Sequence, residues 1–129
     1  MNKAHNPSSI AQPINNSYSH GIESPPGARI LHLAGQVGVG PDGKIGASVE
    51  EQADVAWRNI AAILASAGMT LADIVKIVTF VTDPRYIPGA REVRARHLGA
   101  HRPASTLLVV SGLADTRMVI EIEAVAAKS

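Results

Sequence analysis

The chain has 129 residues, a length that accommodates one domain with a real core but not two. Twelve basic and eleven acidic residues are mixed along it, and Phe, Tyr and Trp make only 3%, so neither a phosphate-seeking field nor an aromatic platform for single-stranded nucleic acid is present. There is no cysteine, which removes disulfides, thiolate metal sites and a thiol nucleophile together.

Hydrophobic residues make 46% and charged residues 18%, values of a globular chain. Residues 1–17 are rich in Asn, Ser and Pro and read as an N-terminal arm that packs late or frays, with the domain proper spanning 18–129. The opening segment has no apolar h-region, and no run approaches about 18 apolar residues, so a cytoplasmic protein with no membrane partner is expected.

Order is expected from Tyr18. ARILHLAG, ending at Gly35, alternates as a strand does, and Pro41-Asp42-Gly43 is a turn signature, so a first hairpin is predicted around it. Gly38 to Lys44 also matches GxGxxG and approaches the phosphate-loop pattern. Both matches fail on context: Ile45 follows the lysine where Ser or Thr is needed, and no helix opens there.

Ser48-Val49-Glu50-Glu51 is a capping box and starts a helix predicted over 49–67. Its apolar positions, Ala53, Ala56, Trp57, Ile60, Ile63, Leu64 and Ala67, form one stripe, and Gly68 suits the position after the end. IVKIVTFVT, Ile74 to Thr82, is β-branched and reads as a central strand. Pro88 and Gly99 bracket a second helix over 88–98 whose polar side carries Arg91, Arg94 and Arg96. A strand at 105–110 follows, and then VIEIEAVA, with Glu121 and Glu123 on one face.

This order is an α+β layer, two helices on one face of a mixed sheet. Yet the strands at 74–82 and 105–110 are apolar on both faces, and no third helix remains to cover the second. Self-association through the sheet into a closed homo-oligomer is the economical answer, with ligand clefts between subunits. Glu121 and Glu123 are then either the solvent side of a half-buried strand or, against a neighbour, carboxylates desolvated enough for general acid–base work. Tyr18 either anchors the arm or lines a cleft, and His20 is a candidate polar cleft residue. His97 and His101 are four apart, but Gly99 ends the helix between them, so packing roles are expected rather than a metal site. No GxSxG elbow or assembled triad supports a serine nucleophile.

The segments YSHG from Tyr18, AGQ ending at Gln36, EEQADVAWRNIAAIL, DIVKIVTFVTD, RPAS at Arg102 to Ser105, and EIEAVA from Glu121 resemble, in order and spacing, the RidA/YjgF family of reactive-intermediate deaminases, formerly called L-PSP endoribonucleases or translation inhibitors. The resemblance covers residues 18–126. It implies a chorismate-mutase-like fold and a homotrimer whose sheets form a central barrel, with a small-molecule ligand at each interface cleft and no nucleic-acid partner. It implies hydrolysis of enamines or imines without metal or organic cofactor. By position, it assigns Glu121 to the attacking water and Tyr18, Gly35, Ser105, Thr106 and Leu107 to the ligand cleft.

One position departs. Where the family pattern places a carboxylate-clamping arginine, this chain has Ser105, which offers one uncharged donor. Arg102 belongs to the ordinary motif and is a weak substitute. The expectation is therefore a small-metabolite-binding protein, hydrolysing an imine- or enamine-type substrate other than 2-aminoacrylate. The alternatives are a non-catalytic ligand-binding or chaperone-like module and an endoribonuclease, the latter disfavoured by the near-neutral charge.

Overall fold

A computed structural model describes all residues, 1–129. Eight regular elements follow one another: β1 (Lys3–His5), β2 (Gly21–Glu23), β3 (Arg29–Val37), α1 (Val49–Ser66), β4 (Ile74–Val81), α2 (Ile87–Leu98), β5 (Ala104–Val109) and β6 (Ile120–Lys128). The main sheet has the order β3-β6-β4-β5. Its β4–β5 pair is parallel, joined through α2, and the other pairs are antiparallel. Both helices pack on one face, as the sequence pattern predicts.

Local chemistry sets the ends of α1. Ser48 accepts the Glu51 amide at 3.1 Å. The Glu51 carboxylate returns not to Ser48 but to the Ala47 amide, at 2.9 Å, so the box closes one residue further out than expected. Gly68 takes φ +70° just past the end, a conformation that strains any residue bearing a Cβ. The apolar stripe of α1, with Trp57, Ile60 and Leu64 fully buried, meets Ile77 and Val81 of β4 and Ile120 and Ile122 of β6. Burying a side chain of this size contributes about 1.5–3 kcal/mol, so this layer dominates the stability of the chain.

The arm at 1–17 is partly packed: Lys3–His5 pairs antiparallel with Gly21–Glu23, and the Asn2 side chain donates to Ala127 O at 3.0 Å. One expectation needs correction. The hairpin around Pro41–Gly43 is reduced to a single bridge, Val39 to Ile45, beyond the end of β3 at Val37, and the ladder of β3 is made with β6. The turn itself forms, with Gly43 N donating to Gly40 O at 2.9 Å.

Gln52 ties the top of the sheet to α1. It is buried, its amide donates to Gly46 O and Arg117 O at 2.9 and 3.0 Å, and its carbonyl accepts the Val119 amide at 2.9 Å. Every polar atom of this interior side chain is therefore used.

The second face of the sheet has no cover. Register places Val78 and Phe80 of β4, Thr106 and Leu108 of β5, and Glu121, Glu123 and Val125 of β6 together on it. Leu108 is 46% exposed, a large apolar side chain left in the open. No helix of the chain is long and apolar enough to cross a membrane.

Candidate functional site

The candidate site residues divide into two groups, and the division follows from strand register. Ser105 pairs with Ile77, and Ile77 with Ala124, so Ser105 points to the helix side. Glu121 pairs with Phe80 and points to the open side. Because side chains alternate along a strand, Leu107 lies with Ser105, while Thr106 lies with Glu121.

On the open side, Glu121 meets Gly35. The β3–β6 register slips between Leu33 and Gln36, a bulge that carries Gly35 beneath the Glu121 side chain. A Cβ at position 35 would stand 1.9 Å from Glu121 Oε2 and 2.8 Å from its Cδ. Only glycine leaves room for the carboxylate where it is. Glu121 is half-buried and engages neither a salt-bridge partner nor a side-chain hydrogen bond. Its oxygens are free to hold a water or a ligand proton. On the same face Lys76 Nζ donates to Thr106 Oγ1 at 3.0 Å.

On the helix side, the mouth of β5 is framed by the residues after the arm. Ser19 forms a parallel bridge with Ala104, donates its amide to Pro103 O at 3.1 Å and its hydroxyl to Arg102 O at 2.5 Å. This holds the backbone of Tyr18 beside the start of β5. The Tyr18 ring is half-buried and meets His20 edge-on at 5.7 Å. The His20 ring itself donates to Ala11 O at 2.7 Å, so it fastens the arm and does not serve as a free cleft donor.

Ser105 is reached by an arginine of the second helix. Arg94 of α2 donates from Nη1 to Ser105 Oγ at 3.3 Å. Burial first, and then the charges of Arg91 and Arg102, push its pKa below the ordinary arginine value; it remains a cation. Arg102 is spent on backbone: Nε donates to Asn16 O at 2.7 Å, and Nη1 to Gly99 O and to His101 O. Leu107 packs against the core behind Ser105.

Sequence reasoning placed Arg94 on the solvent side of its helix. The signal to the contrary was its spacing, four residues after Ala90 and one after Val93, both buried. His97 and His101 take the packing roles expected of them. His97 stacks on Trp57 at 6.2 Å and donates to Asp54 at 2.8 Å, and His101 donates to Ile74 O at 2.8 Å. No group of three or more His, Asp or Glu residues converges as metal ligands would.

Larger concavities lie elsewhere, of about 670 Å³ around Lys44 to Gln52 and about 560 Å³ between the chain termini. Within them Arg117 is paired with Asp115 at 2.7 Å and Lys128 with Asp73 at 3.9 Å.

Comparison with known proteins bears on this geometry. A family model described as endoribonuclease L-PSP matches residues 9–128. The Escherichia coli protein named "Putative reactive intermediate deaminase TdcF" is 33% identical over 104 residues, covering 78% of this chain and 80% of that protein. A crystal structure of YyfB from Yersinia pestis, a protein of unknown function in the conserved Rid family, matches with a TM-score of 0.86 at 31% identity over 97% of each chain. The crystal structure of E. coli TdcF with bound serine matches with a TM-score of 0.74 at 30% identity, over 96% of this chain and 94% of that one.

Proposed function

Because this chain belongs to the RidA/YjgF family, the family of the endoribonuclease L-PSP model, we propose that it is a homotrimer that binds a small metabolite in clefts between subunits and hydrolyses a C=N or enamine bond there. The observation that carries this reading is the unpaired Glu121 carboxylate seated over Gly35 on an uncovered sheet face that also carries Val78, Phe80, Leu108 and Val125.

Two features support the assembly. Val78, Phe80, Leu108 and Val125 form an apolar surface that a second copy of the sheet buries. Glu121 and Ser105 also sit on opposite faces of one sheet, so a single protomer cannot close both around one small molecule. A neighbouring copy supplies the missing half.

In the chemistry proposed, Glu121 accepts a proton from a water as its oxygen attacks the imine carbon. The proton passes to the nitrogen, and the carbinolamine collapses to a carbonyl compound and ammonia. The serine bound to TdcF, an amino acid carrying a carboxylate, supports a substrate of the amino-acid-derived class.

Ser105 favours a second reading, a ligand-binding module without chemistry, because a one-donor hydroxyl orients a carboxylate less firmly than a guanidinium. RNA cleavage finds no support in the charge, which is +1 overall. Ammonia release from imino acids generated in situ by an amino-acid oxidase tests the proposal. The expected result is turnover that Glu121→Gln reduces by about 10²-fold or more, within the range for loss of a general base. Ligand-induced thermal shifts without turnover above the Glu121→Gln background give the second reading instead.

A further inference from the structure

The α2 face beside Ser105 is a cationic surface without anionic partners. Arg91 and Arg94 are three apart on one side of α2, and neither lies within salt-bridge distance of a carboxylate. Arg94 has only the Ser105 hydroxyl, a neutral acceptor, and Arg91 has no side-chain hydrogen bond. Both line a concavity of about 280 Å³ with Arg102, His101, Asn15 and Ser17. They also line a void of about 10 Å³ shared with Leu107 and Trp57. Trp57 Nε1 is buried with no acceptor. Arg94 is half-buried, and partial burial of a guanidinium without counter-charge is costly unless an anion completes it.

From this we infer that Arg94, with Arg91 beside it and the Ser105 hydroxyl below, is the anion clamp of this chain, and that it takes a small dianion such as a dicarboxylate. The inference rests on the reading of the β5 mouth as the ligand cleft, and it names the ligand's charge and the residues that hold it. Arg94 binds the first carboxylate through two charge-assisted hydrogen bonds, and Ser105 donates its hydroxyl hydrogen once the guanidinium has turned from it to the ligand. Arg91, one helical turn earlier and more exposed, meets the second negative group. Two unpaired cations select a doubly charged ligand over a singly charged one. His101 is committed to Ile74 O and Arg102 to three carbonyls, so these two shape the wall of the concavity.

The test is calorimetric and NMR titration of the full chain with succinate, inorganic phosphate and L-serine, using wild type, Arg94→Gln and Arg91→Gln. Succinate is expected to bind more tightly than serine and to shift the amide resonances of 91–95 and 104–106. Arg94→Gln is expected to weaken succinate by roughly ten- to a hundredfold. Arg91→Gln is expected to erase the preference for succinate over serine while leaving serine unchanged. Binding of phosphate in preference to succinate, with the same dependence on Arg94, supports the dianion site and assigns it to a phosphorylated ligand. Equal affinities in wild type and Arg94→Gln, or no binding of either dianion to wild type, overturn the inference. The outcome is separable from that of the catalytic reading: Arg94-dependent binding without ammonia release leaves the clamp standing and removes the chemistry, whereas turnover unaffected by Arg94→Gln does the reverse.

Discussion

Gly35→Ala separates the chemistry of Glu121 from its contribution to the fold. Gly35 does not have a positive φ, so alanine is acceptable to the backbone. The new methyl would lie 1.9 Å from Glu121 Oε2, and real Cβ atoms essentially never come within 3.0 Å of a neighbour. The carboxylate must therefore retreat by about 1.1 Å, the difference between those two distances. Its end is flexible, so the cost to folding is one displaced rotamer, on the order of 0.5–1.5 kcal/mol. The cost to a reaction that needs the oxygen beside the attacking water is far larger, since a misplacement of about 1 Å can lower a rate by about 10²-fold. Ammonia-release kinetics and urea denaturation on the same preparation read the two effects independently. The double variant Gly35→Ala, Glu121→Gln should be no slower than Glu121→Gln alone, because both changes remove the same positioned oxygen. Full turnover in Gly35→Ala, or rate losses that multiply in the double variant, would refute the role given to the Gly35–Glu121 contact.

Gln52→Leu strands the carbonyls of Gly46 and Arg117 and the amide of Val119 in the interior, and should cost about 3 kcal/mol or more by urea denaturation; a loss under about 1 kcal/mol would show that the loops repack freely. Asp54 is held below its usual 3.8 chiefly by the hydrogen bond from His97, with Arg58 and the His97 charge adding to it. A carboxyl whose folded pKa is depressed stabilises the native state above its unfolded pKa and loses that contribution as pH falls through the folded value. The stability gap between wild type and Asp54→Asn should accordingly narrow as pH drops below 3.8, and a gap that widens on acidification would reverse the assignment. Leu108→Glu places a charge on the uncovered sheet face and should shift the proposed trimer to monomer in sedimentation, with the helix-side core intact by circular dichroism; a trimer in both proteins would move the interface elsewhere.

The elements legible in the sequence are those whose signals are local. Ser48, Glu51 and Gly68 bracket α1, and Pro88 and Gly99 bracket α2, within one residue of the observed ends. What escaped depends on distant partners. The tripeptide Lys3–His5 has no strand pattern of its own and becomes a strand only against Gly21–Glu23. Arg94 looks like one of three solvent-facing arginines until β5 is laid beneath α2. The Gly35–Glu121 contact joins positions 86 residues apart, and its logic lies in a bulge that no turn residue announces. Glycine at 35 and glutamate at 121 could be noted as residue types, but the reason one requires the other is a matter of register.

The two halves of the proposed site are anchored by independent parts of the fold. Glu121 is placed by the β3 bulge on the open face. Arg94 is placed by the seat of α2 on α1, where Val93 is buried, His97 stacks on Trp57, and Asp54 accepts from the His97 ring. A strand-borne arginine at 105 would move with the sheet and keep a fixed relation to Glu121 through the β5–β4–β6 ladder. An arginine borne on α2 takes its position from helix packing instead, so the place of the proposed clamp responds to changes in the α1–α2 interface that leave the sheet untouched. On the proposed reading, carrying the guanidinium on the helix rather than the strand therefore makes helix packing, and not sheet register, set where the anionic end of a ligand sits.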